Sequence, residues 1–351
     1  MNEDRTNGLS RGERAPDFVA PLDGTGPARF YGRAGGRPAV LVFASGVCPR
    51  VRATFDRARE EASRHLVVPD DAEAEPPSGV DLFRDDGKLR AAFRLPEDGS
   101  ARAVVLDRNL RVLECLALGG GNAADRLAEV VRQAGAAVPA ATVTAQAPVL
   151  FVPRVLDPDI CEHLRQLWGA SHAATGVERS AGGRRAEVVA AEAKRRRDHV
   201  VEEAELQRLL TRTLGRRLLP EVRRVFAFGA DRFEGFKIAC YEASSSGFFA
   251  PHRDNLSPAT AHRRFALSLN LDDGYDGGEL RFPEYGGSLY RPAAGEALVF
   301  SCAMLHEVVP VTRGRRFALL SFLFGPQSAR ASGARAASPS TPSKPPHTGE
   351  S

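Results

Sequence analysis

The 351-residue sequence is poor in lysine, in paired cysteines and in long apolar runs. Lysine and arginine together exceed the acidic residues by only four charges, so nothing in the composition indicates a nucleic-acid partner. No apolar run approaches the ~20 residues that cross a bilayer, so no membrane association is expected. The first residues, MNEDRTNGLSRGER, are charged and lack the apolar core of a signal peptide.

The five cysteines stand singly along the chain, and no two of them form a C-x-x-C motif. An odd number of isolated cysteines argues against a disulfide framework and against a structural zinc site. The sequence therefore predicts a cytoplasmic protein with reduced thiols. The cysteines are Cys48, Cys115, Cys161, Cys240 and Cys302.

Two shifts in composition divide the chain. The stretch AGAAVPAATVTAQAP, residues 134–148, is small and nearly uncharged, which is typical of an interdomain linker. From position 326 onward large apolar residues are almost absent, which predicts a disordered tail. We therefore expect domains at 12–136 and 148–325, a linker at 137–147, and a tail at 326–351.

The first domain alternates between strand and helix patterns. AVLVF and the pair ARAVVLD and LRVLECL have the composition of strands, and the pair is joined by a short turn that predicts a hairpin. VRATFDRAREEASRHL, residues 51–66, and NAADRLAEVVRQAGA have helical spacing, with Asn122 at the N-cap of the second. Between them HLVV, which overlaps the end of the first helical stretch, VDLF and LRAAFRL form further short elements. The predicted order is β-α-β-α-β-β-α, a small α/β sandwich.

The second domain begins with two helices and continues with short strands. DPDICEHLRQLW starts with Asp157 as N-cap and Pro158 at the first helical position, and a second helix spans 202–219. After Phe226 the chain contains FKIACY, RFALSLNL, ELRFP, EALVFS, HEVVPV and RFALLSFLF. Many short strands with glycine-rich turns predict a β-sandwich or jelly roll with flanking helices.

Three residues of the strand region have the types and spacing of metal ligands. His252 and Asp254 in FFAPHRDN lie two apart, so on a strand both side chains point the same way. His306 lies near the start of a later strand and completes a two-histidine, one-carboxylate set, which is typical of non-haem Fe(II). The alternative is a surface hydrogen-bonding pair. His262 is a competing ligand, although no carboxylate lies two residues away from it.

Arg316 lies ten residues beyond His306, after the turn Thr312-Arg313-Gly314-Arg315. If Gly314 is left-handed in a three-residue hairpin loop, His306 and Arg316 share a face; a two-residue loop would place them on opposite faces. An inward-facing arginine there could clamp a dicarboxylate whose other end chelates the metal. The basic run at 194–199 could touch an anionic substrate, but such runs are usually solvated helix faces.

Together these pieces resemble the Fe(II)- and 2-oxoglutarate-dependent dioxygenases of the prolyl 4-hydroxylase type. The similarity covers about residues 147–325 through KIACY, PHRDN, FALSLNLDDGYDGGELRFPEYG, PAAGEALVFS and LHEVVPVTRGRRFALL. It implies a double-stranded β-helix that binds Fe(II) through His252, Asp254 and His306. It further implies that Arg316 and Tyr241 bind the distal carboxylate of 2-oxoglutarate, with O2 as co-substrate and ascorbate as a helper that restores Fe(II).

The first domain resembles the peroxiredoxin branch of the thioredoxin fold. The similarity lies in GERAPDFVAPLDG, PAVLVF and VVLDRNLRVLECL, and it would make Cys48 in ASGVCPR the redox-active thiol. The loop before Cys48 is shorter than the family's, its usual proline is missing, and no obvious resolving cysteine follows. A degenerate redoxin module used for docking or dimerisation is the alternative.

The expected function is a two-domain dioxygenase that hydroxylates a C–H bond of a peptide, possibly prolyl, or of a small molecule, with release of succinate and CO2. Two alternatives remain, a thiol peroxidase that uses Cys48 and a non-catalytic sensor that binds iron and 2-oxoglutarate. A homodimer formed through the first domain is a further expectation.

Overall fold

A computed structural model describes residues 8–58, 61–134, 142–174, 177–181, 184–188 and 192–325. The chain divides into two compact units, residues 1–142 and 143–351. The predicted tail at 326–351 and residues 137–141 of the predicted linker lie outside the described residues. In the part of the chain that the structure describes, no helix is long and apolar enough to span a membrane.

The first unit contains seven strands and four helices. The strands are β1 (Val19–Leu22), β2 (Gly26–Arg29), β3 (Ala39–Phe43), β4 (Ser63–Pro69), β5 (Asp81–Asp85), β6 (Arg102–Leu106) and β7 (Val112–Ala117). The helices are α1 (Phe30–Ala34), α2 (Pro49–Arg57), α3 (Lys88–Ala92) and α4 (Ala123–Gln133).

The seven strands form one sheet in the order β2-β1-β5-β4-β3-β6-β7, in which β3, β4 and β5 are parallel. The central strand β3, AVLVF, is apolar and buried along its whole length because both faces of the sheet are covered there. One face packs on apolar side chains of α2 and α4, and the other packs on a cluster of phenylalanines that includes Phe18, Phe30 and Phe93. The unit is an α/β sandwich.

Two local predictions for the first unit differ from the structure. Helix α2 ends at Arg57, and residues 63–69, whose first four were predicted to end this helix, form the buried strand β4. Pairing with β3 on one side and β5 on the other outweighs the helical spacing of this stretch. Asn122 occupies the N-cap position of α4, but its side chain makes no capping hydrogen bond.

The second unit contains the remaining elements. The helices are α5 (Pro158–Ala170), α6 (Ala204–Arg217) and α7 (Leu219–Phe226). The strands up to the middle of the unit are β8 (Leu150–Val152), β9 (Ala173–Ala174), β10 (Val177–Ala181), β11 (Arg184–Val188), β12 (Lys194–Arg195), β13 (Arg197–Val200), β14 (Arg232–Phe233) and β15 (Lys237–Glu242). The later strands are β16 (Phe248–His252), β17 (Phe265–Asn270), β18 (Asp276–Gly277), β19 (Leu280–Arg281), β20 (Leu289–Tyr290), β21 (Ala297–Ser301), β22 (His306–Val308), β23 (Val311–Arg313) and β24 (Arg315–Phe324).

Two antiparallel sheets face each other in this unit. The larger has the order β8-β21-β17-β24-β15-β13-β9, and the smaller has the order β12-β16-β22-β19-β20. Apolar side chains from both sheets, among them Tyr241, Phe282 and Phe300, form the core between them. Helices α5, α6 and α7 pack on the outer face of the larger sheet through residues such as Trp168, Leu210 and Val222. This arrangement fits the predicted jelly roll with flanking helices.

Three predictions for the second unit need correction. Asp157 is at the N-cap of α5 but does not cap it; its carboxylate accepts a hydrogen bond from Arg217 instead. The helix predicted at 202–219 ends at Arg217, and Leu219 already begins α7, with Pro220 in its first turn. The basic run at 194–199 was predicted to be a helix face, and it forms β12 and β13.

Candidate metal centre

Strand pairing brings the two predicted histidine ligands together. His252 is the last residue of β16, and His306 is the first residue of β22; the two are direct partners across the antiparallel pair. Asp254 follows two residues after the end of β16. One ligand atom of each of the three side chains lies within 4.8 Å of the other two. The structure therefore groups His252, Asp254 and His306, as the sequence predicts.

Both histidine rings are oriented by the carbonyl two residues before them. The Nδ1 of His252 lies 2.8 Å from the Ala250 oxygen, and the Nδ1 of His306 lies 3.0 Å from the Met304 oxygen. Because a carbonyl can only accept, Nδ1 carries the proton and Nε2 presents a lone pair. The two Nε2 atoms lie 3.5 Å and 3.3 Å from the carboxylate oxygens of Asp254.

Burial and charge favour the protonation states that a metal requires. His306 is only 5% exposed, and burial lowers the pKa of its imidazole although the Asp254 carboxylate acts in the opposite direction. Burial also opposes ionisation of Asp254, but the neighbouring His306 and His252 rings outweigh it and hold the pKa of this carboxyl below its usual value. A neutral imidazole and an ionised carboxylate are the forms in which His306 and Asp254 would ligate a divalent metal.

Aromatic rings cover both histidines. Phe249 stacks on His252 with ring centroids 3.5 Å apart, and Phe300 meets His306 edge-on at 4.7 Å. Such an apolar shell limits access of water and fixes the orientation of the ligand rings. The donor set and its aromatic shell fit Fe(II) coordinated by two histidines and one carboxylate.

The predicted carboxylate-binding arginine lies in the interior of the jelly roll. Arg316 is 2% exposed and donates from Nη2 to the Ser268 hydroxyl at 3.0 Å and to the Asn270 side-chain oxygen at 3.1 Å. Its Nε also points at Asn270. Within the described residues no carboxylate forms an ion pair with this guanidinium, whereas buried arginines are normally paired with one. A buried, unpaired guanidinium is suited to bind an anion.

Glycines shape the approach to Arg316. The predicted hairpin between the strands of His306 and Arg316 is wrong, because β22 belongs to the smaller sheet and β24 to the larger sheet. Between them lies β23, which pairs with β18, and Gly314, with a φ of 72°, joins β23 to β24. Gly278 has a φ of 71°, and a Cβ there would lie 3.1 Å from the Arg316 side chain. Both positions need glycine for backbone and for space.

Tyr241 is the direct strand partner of Arg316 and is 2% exposed. The Arg316 guanidinium lies 5.5 Å from the centre of its ring. The phenolic oxygen of Tyr241 accepts a hydrogen bond from Arg196 at 3.1 Å. The structure thus brings Tyr241 and Arg316 together, and it adds an arginine that the sequence analysis had not assigned to the site.

A period-two pattern in the basic run could have pointed to Arg196. Lys194, Arg196 and Asp198 alternate with the exposed Arg195 and Arg197, and the side chains of all three alternating residues are buried. Alternation of this kind is typical of a strand with one buried face. Because four consecutive residues of the run KRRRD are basic, the alternation of buried and exposed positions is not visible in the residue types.

The other sequence candidates lie in different environments. His262, the competing ligand, contacts Glu234 at 2.7 Å and is not part of the metal-ligand group. Cys48 lies in the first unit, exposed, at the N-cap of α2. All five cysteines are free thiols in the structure.

Comparisons with known proteins bear on the same part of the chain. Residues 236–324 match the family model described as the 2OG-Fe(II) oxygenase superfamily. A PKHD-type hydroxylase from Synechococcus sp. is 36% identical over 93 residues, which are 24% of this chain and 41% of that protein. A PKHD-type hydroxylase from Pseudomonas putida is 38% identical over 90 residues, which are 23% of this chain and 39% of that protein. The chain thus spans less than half the length of these curated relatives.

Among solved structures, a Pseudomonas putida prolyl-4-hydroxylase aligns with 51% of this chain and 93% of its own, at 19% identity and a TM-score of 0.38. The family match itself runs from the residue before β15 to the end of β24. It includes all five residues that the sequence predicts for the metal and the dicarboxylate. The C-terminal half of the chain therefore contains a domain of the 2OG-Fe(II) oxygenase superfamily.

Proposed function

We propose that this domain, at residues 148–325, is an Fe(II)- and 2-oxoglutarate-dependent dioxygenase that hydroxylates a C–H bond. The observation that carries the proposal is the convergence of two histidine Nε2 atoms and the Asp254 carboxylate within 4.8 Å of one another. A superfamily match over the same residues supports it.

His252, Asp254 and His306 would hold the metal on one face and leave its other positions open. The hydrogen bonds from the histidine Nδ1 atoms to backbone carbonyls keep both Nε2 lone pairs directed at the metal position. The chemistry that Fe(II) held by these residues would supply is the oxidative decarboxylation of 2-oxoglutarate by O2, which would give succinate and CO2 and place one oxygen atom on the substrate carbon. Phe249 and Phe300 would keep solvent away from the histidine ligands.

Arg316 and Tyr241 would bind the distal carboxylate of 2-oxoglutarate. Arg316 offers a buried charge that no carboxylate of the described residues pairs with, and Ser268 and Asn270 fix its plane. A fixed guanidinium can bind a carboxylate through two parallel hydrogen bonds, which selects a dicarboxylic 2-oxo acid over a monocarboxylic one. Orientation of the co-substrate is therefore the task of these two residues.

The substrate in this proposal carries an unactivated C–H bond on a peptide or on a small molecule. The name hydroxylase, which the curated relatives carry, supports the reaction class. Ascorbate would act as the reductant that restores Fe(II). Nothing in the proposal depends on a nucleic acid or a membrane.

For the first unit we propose a thioredoxin-like domain at about 12–136 that serves for docking or dimerisation in the cytoplasm. The parallel strands β3, β4 and β5, flanked by the antiparallel hairpin of β6 and β7, support the assignment. Cys48 gives this domain a second candidate activity, because an exposed thiol at a helix N-terminus is placed for redox chemistry.

Succinate formation separates these functions. The purified protein with Fe(II), ascorbate, O2 and 2-oxoglutarate should release succinate slowly even without a substrate. Asp254→Ala should abolish this release, and Cys48→Ser should leave it unchanged. Reduction of added hydrogen peroxide that is lost in Cys48→Ser, with no release of succinate, would support the thiol peroxidase. Binding of 2-oxoglutarate without any succinate would support the sensor.

A further inference from the structure

We propose that Arg196 is a positioning residue for the co-substrate, because it donates to the phenolic oxygen of Tyr241 and so directs the tyrosine's own hydrogen toward the distal carboxylate. The inference rests on the proposed function, in which Tyr241 and Arg316 bind that carboxylate. It adds a residue outside the segment 236–324 that matches the superfamily.

The crossing of the chain between the two sheets places Arg196 at the site. Lys194 and Arg195 pair with β16 of the smaller sheet, whereas the next strand pairs with β15 of the larger sheet. Arg196 is the single residue between these two strands. Its guanidinium lies 5.6 Å from the Tyr241 ring centre and 5.9 Å from the ring centre of Phe249, which stacks on His252. Arg196 therefore lies one aromatic ring away from the metal ligands.

A buried carboxylate holds the Arg196 guanidinium in one orientation. Its Nε and Nη2 donate to the two oxygens of Asp198, each at 2.6 Å, and Asp198 is 3% exposed. This bidentate pairing uses one edge of the guanidinium and leaves Nη1 to donate to Tyr241. Burial lowers the pKa of Arg196, but the Tyr241 oxygen and the Asp198 carboxylate outweigh it and raise the pKa above its usual value. Arg196 is thus a permanently charged donor.

The hydrogen bond from Arg196 determines the direction in which the Tyr241 hydroxyl can donate. A phenol has one O–H donor and acceptor lone pairs on the same oxygen. Because an arginine can only donate, the bond from Arg196 occupies the oxygen as acceptor and leaves the O–H free to donate. Among the described residues no acceptor for that O–H is found, although Tyr241 is 2% exposed. A carboxylate bound by the neighbouring Arg316 would accept it.

The two arginines near Tyr241 therefore have different tasks. The charge of Arg196 is balanced by Asp198, so Arg196 orients the Tyr241 O–H without adding net charge to the site. Arg316, which no carboxylate of the described residues neutralises, supplies the attraction for the co-substrate. A purely structural Arg196–Asp198 pair is the alternative, and it would stabilise the strand crossing without any selective effect on a ligand.

Binding to the Mn(II)-loaded protein, measured by calorimetry, tests the inference without turnover. Two ligands are compared: 2-oxoglutarate, and oxalate, which chelates the metal in the same way but has no distal carboxylate. Arg196→Gln should raise the dissociation constant of 2-oxoglutarate about tenfold, since a charge-assisted hydrogen bond contributes about 1.5 kcal/mol. The dissociation constants of oxalate and of Mn(II) should not change. Arg197→Gln, at the exposed next residue, with which β13 begins, should bind both ligands as the native protein does.

A double-mutant cycle distinguishes action through Tyr241 from an independent effect. In a Tyr241→Phe background, Arg196→Gln should change the affinity for 2-oxoglutarate by less than about twofold, because the hydroxyl that it directs is absent. An unchanged affinity in the single variant, an equal loss in both backgrounds, or an equal loss for oxalate would each overturn the inference. A native protein that binds Mn(II) but no 2-oxoglutarate would instead contradict the proposed function itself.

The single variant removes the bidentate ion pair of Arg196 with the buried Asp198 and is therefore expected to lose stability. The double variant Arg196→Met with Asp198→Leu replaces the whole pair with apolar side chains of similar size and avoids an unpaired charge. It should fold, as monitored by circular dichroism, and should show the same selective loss of about tenfold for 2-oxoglutarate. Native affinity in this folded variant would show that the pair has only a structural role.

Discussion

Replacing Arg316 with methionine removes the one buried guanidinium that the proposal assigns to the co-substrate carboxylate. In the structure its Nη2 and Nε are directed at Ser268 and Asn270, and within the described residues Nη1 makes no hydrogen bond. The free edge of the guanidinium is thus available to a ligand. Loss of a bidentate, charge-assisted contact should cost about 3 kcal/mol of binding free energy, or a rise of at least about a hundredfold in the dissociation constant of 2-oxoglutarate.

Calorimetric titration of the Mn(II)-loaded protein with 2-oxoglutarate measures this change directly. Arg315→Met is the matched control, since Arg315 is the exposed neighbour on the same strand and should leave the affinity unchanged. Arg316→Lys keeps a charge but loses the planar guanidinium, so its dissociation constant for 2-oxoglutarate should lie between those of the native protein and the methionine variant. Retention of native affinity in a folded Arg316→Met protein that still binds Mn(II) would refute the assignment.

Three further predictions follow from local features. Gly314→Ala should lower the free energy of unfolding by about 1–2 kcal/mol or more, because φ is 72° and the new Cβ would lie 2.6 Å from a backbone oxygen; Gly287→Ala, which meets nothing within 4 Å, is the control in a thermal melt. A thiol reagent at neutral pH should label only Cys48 in the native protein, since burial raises the pKa of the other four thiols; labelling of a second thiol would contradict this. The contact with His65 lowers the pKa of Asp81, so the stability that this pair contributes should be full above about pH 4, the pKa of the unfolded carboxyl, and should decline in more acidic solution. The difference in the free energy of unfolding between the native protein and Asp81→Asn should therefore shrink as the pH falls below about 4, and a difference that does not depend on pH would argue against the contact.

The strands and helices that the sequence predicts best are those whose own pattern agrees with their packing. RFALLSFLF is apolar along its length and forms the central strand β24, and the spacing of DPDICEHLRQLW matches helix α5. The stretch 63–66 was predicted as helix because its local spacing is helical, yet it lies between two parallel partners in the sheet. Pairing with strands that are distant in sequence cannot be derived from the pattern of neighbouring residues.

The grouping of the candidate site was predictable to a similar extent. The two-residue spacing of His252 and Asp254 predicted a shared face on a strand, but the strand ends at His252 and Asp254 lies in the turn that follows. His306 had to come from elsewhere in the chain. The position of Arg316 could not be derived from a hairpin, because its strand belongs to the other sheet. Arg196 was missed since its contacts to Tyr241 depend on the chain changing sheets at that residue.

Anaerobic addition of Fe(II) and 2-oxoglutarate is the most direct test of the central claim, that His252, Asp254 and His306 hold an iron that 2-oxoglutarate chelates. The native protein should develop the visible metal-to-ligand charge-transfer band of such a chelate, and His306→Ala should not. A band of equal intensity in His306→Ala, or no band in a native protein shown by metal analysis to bind no iron, would contradict the account.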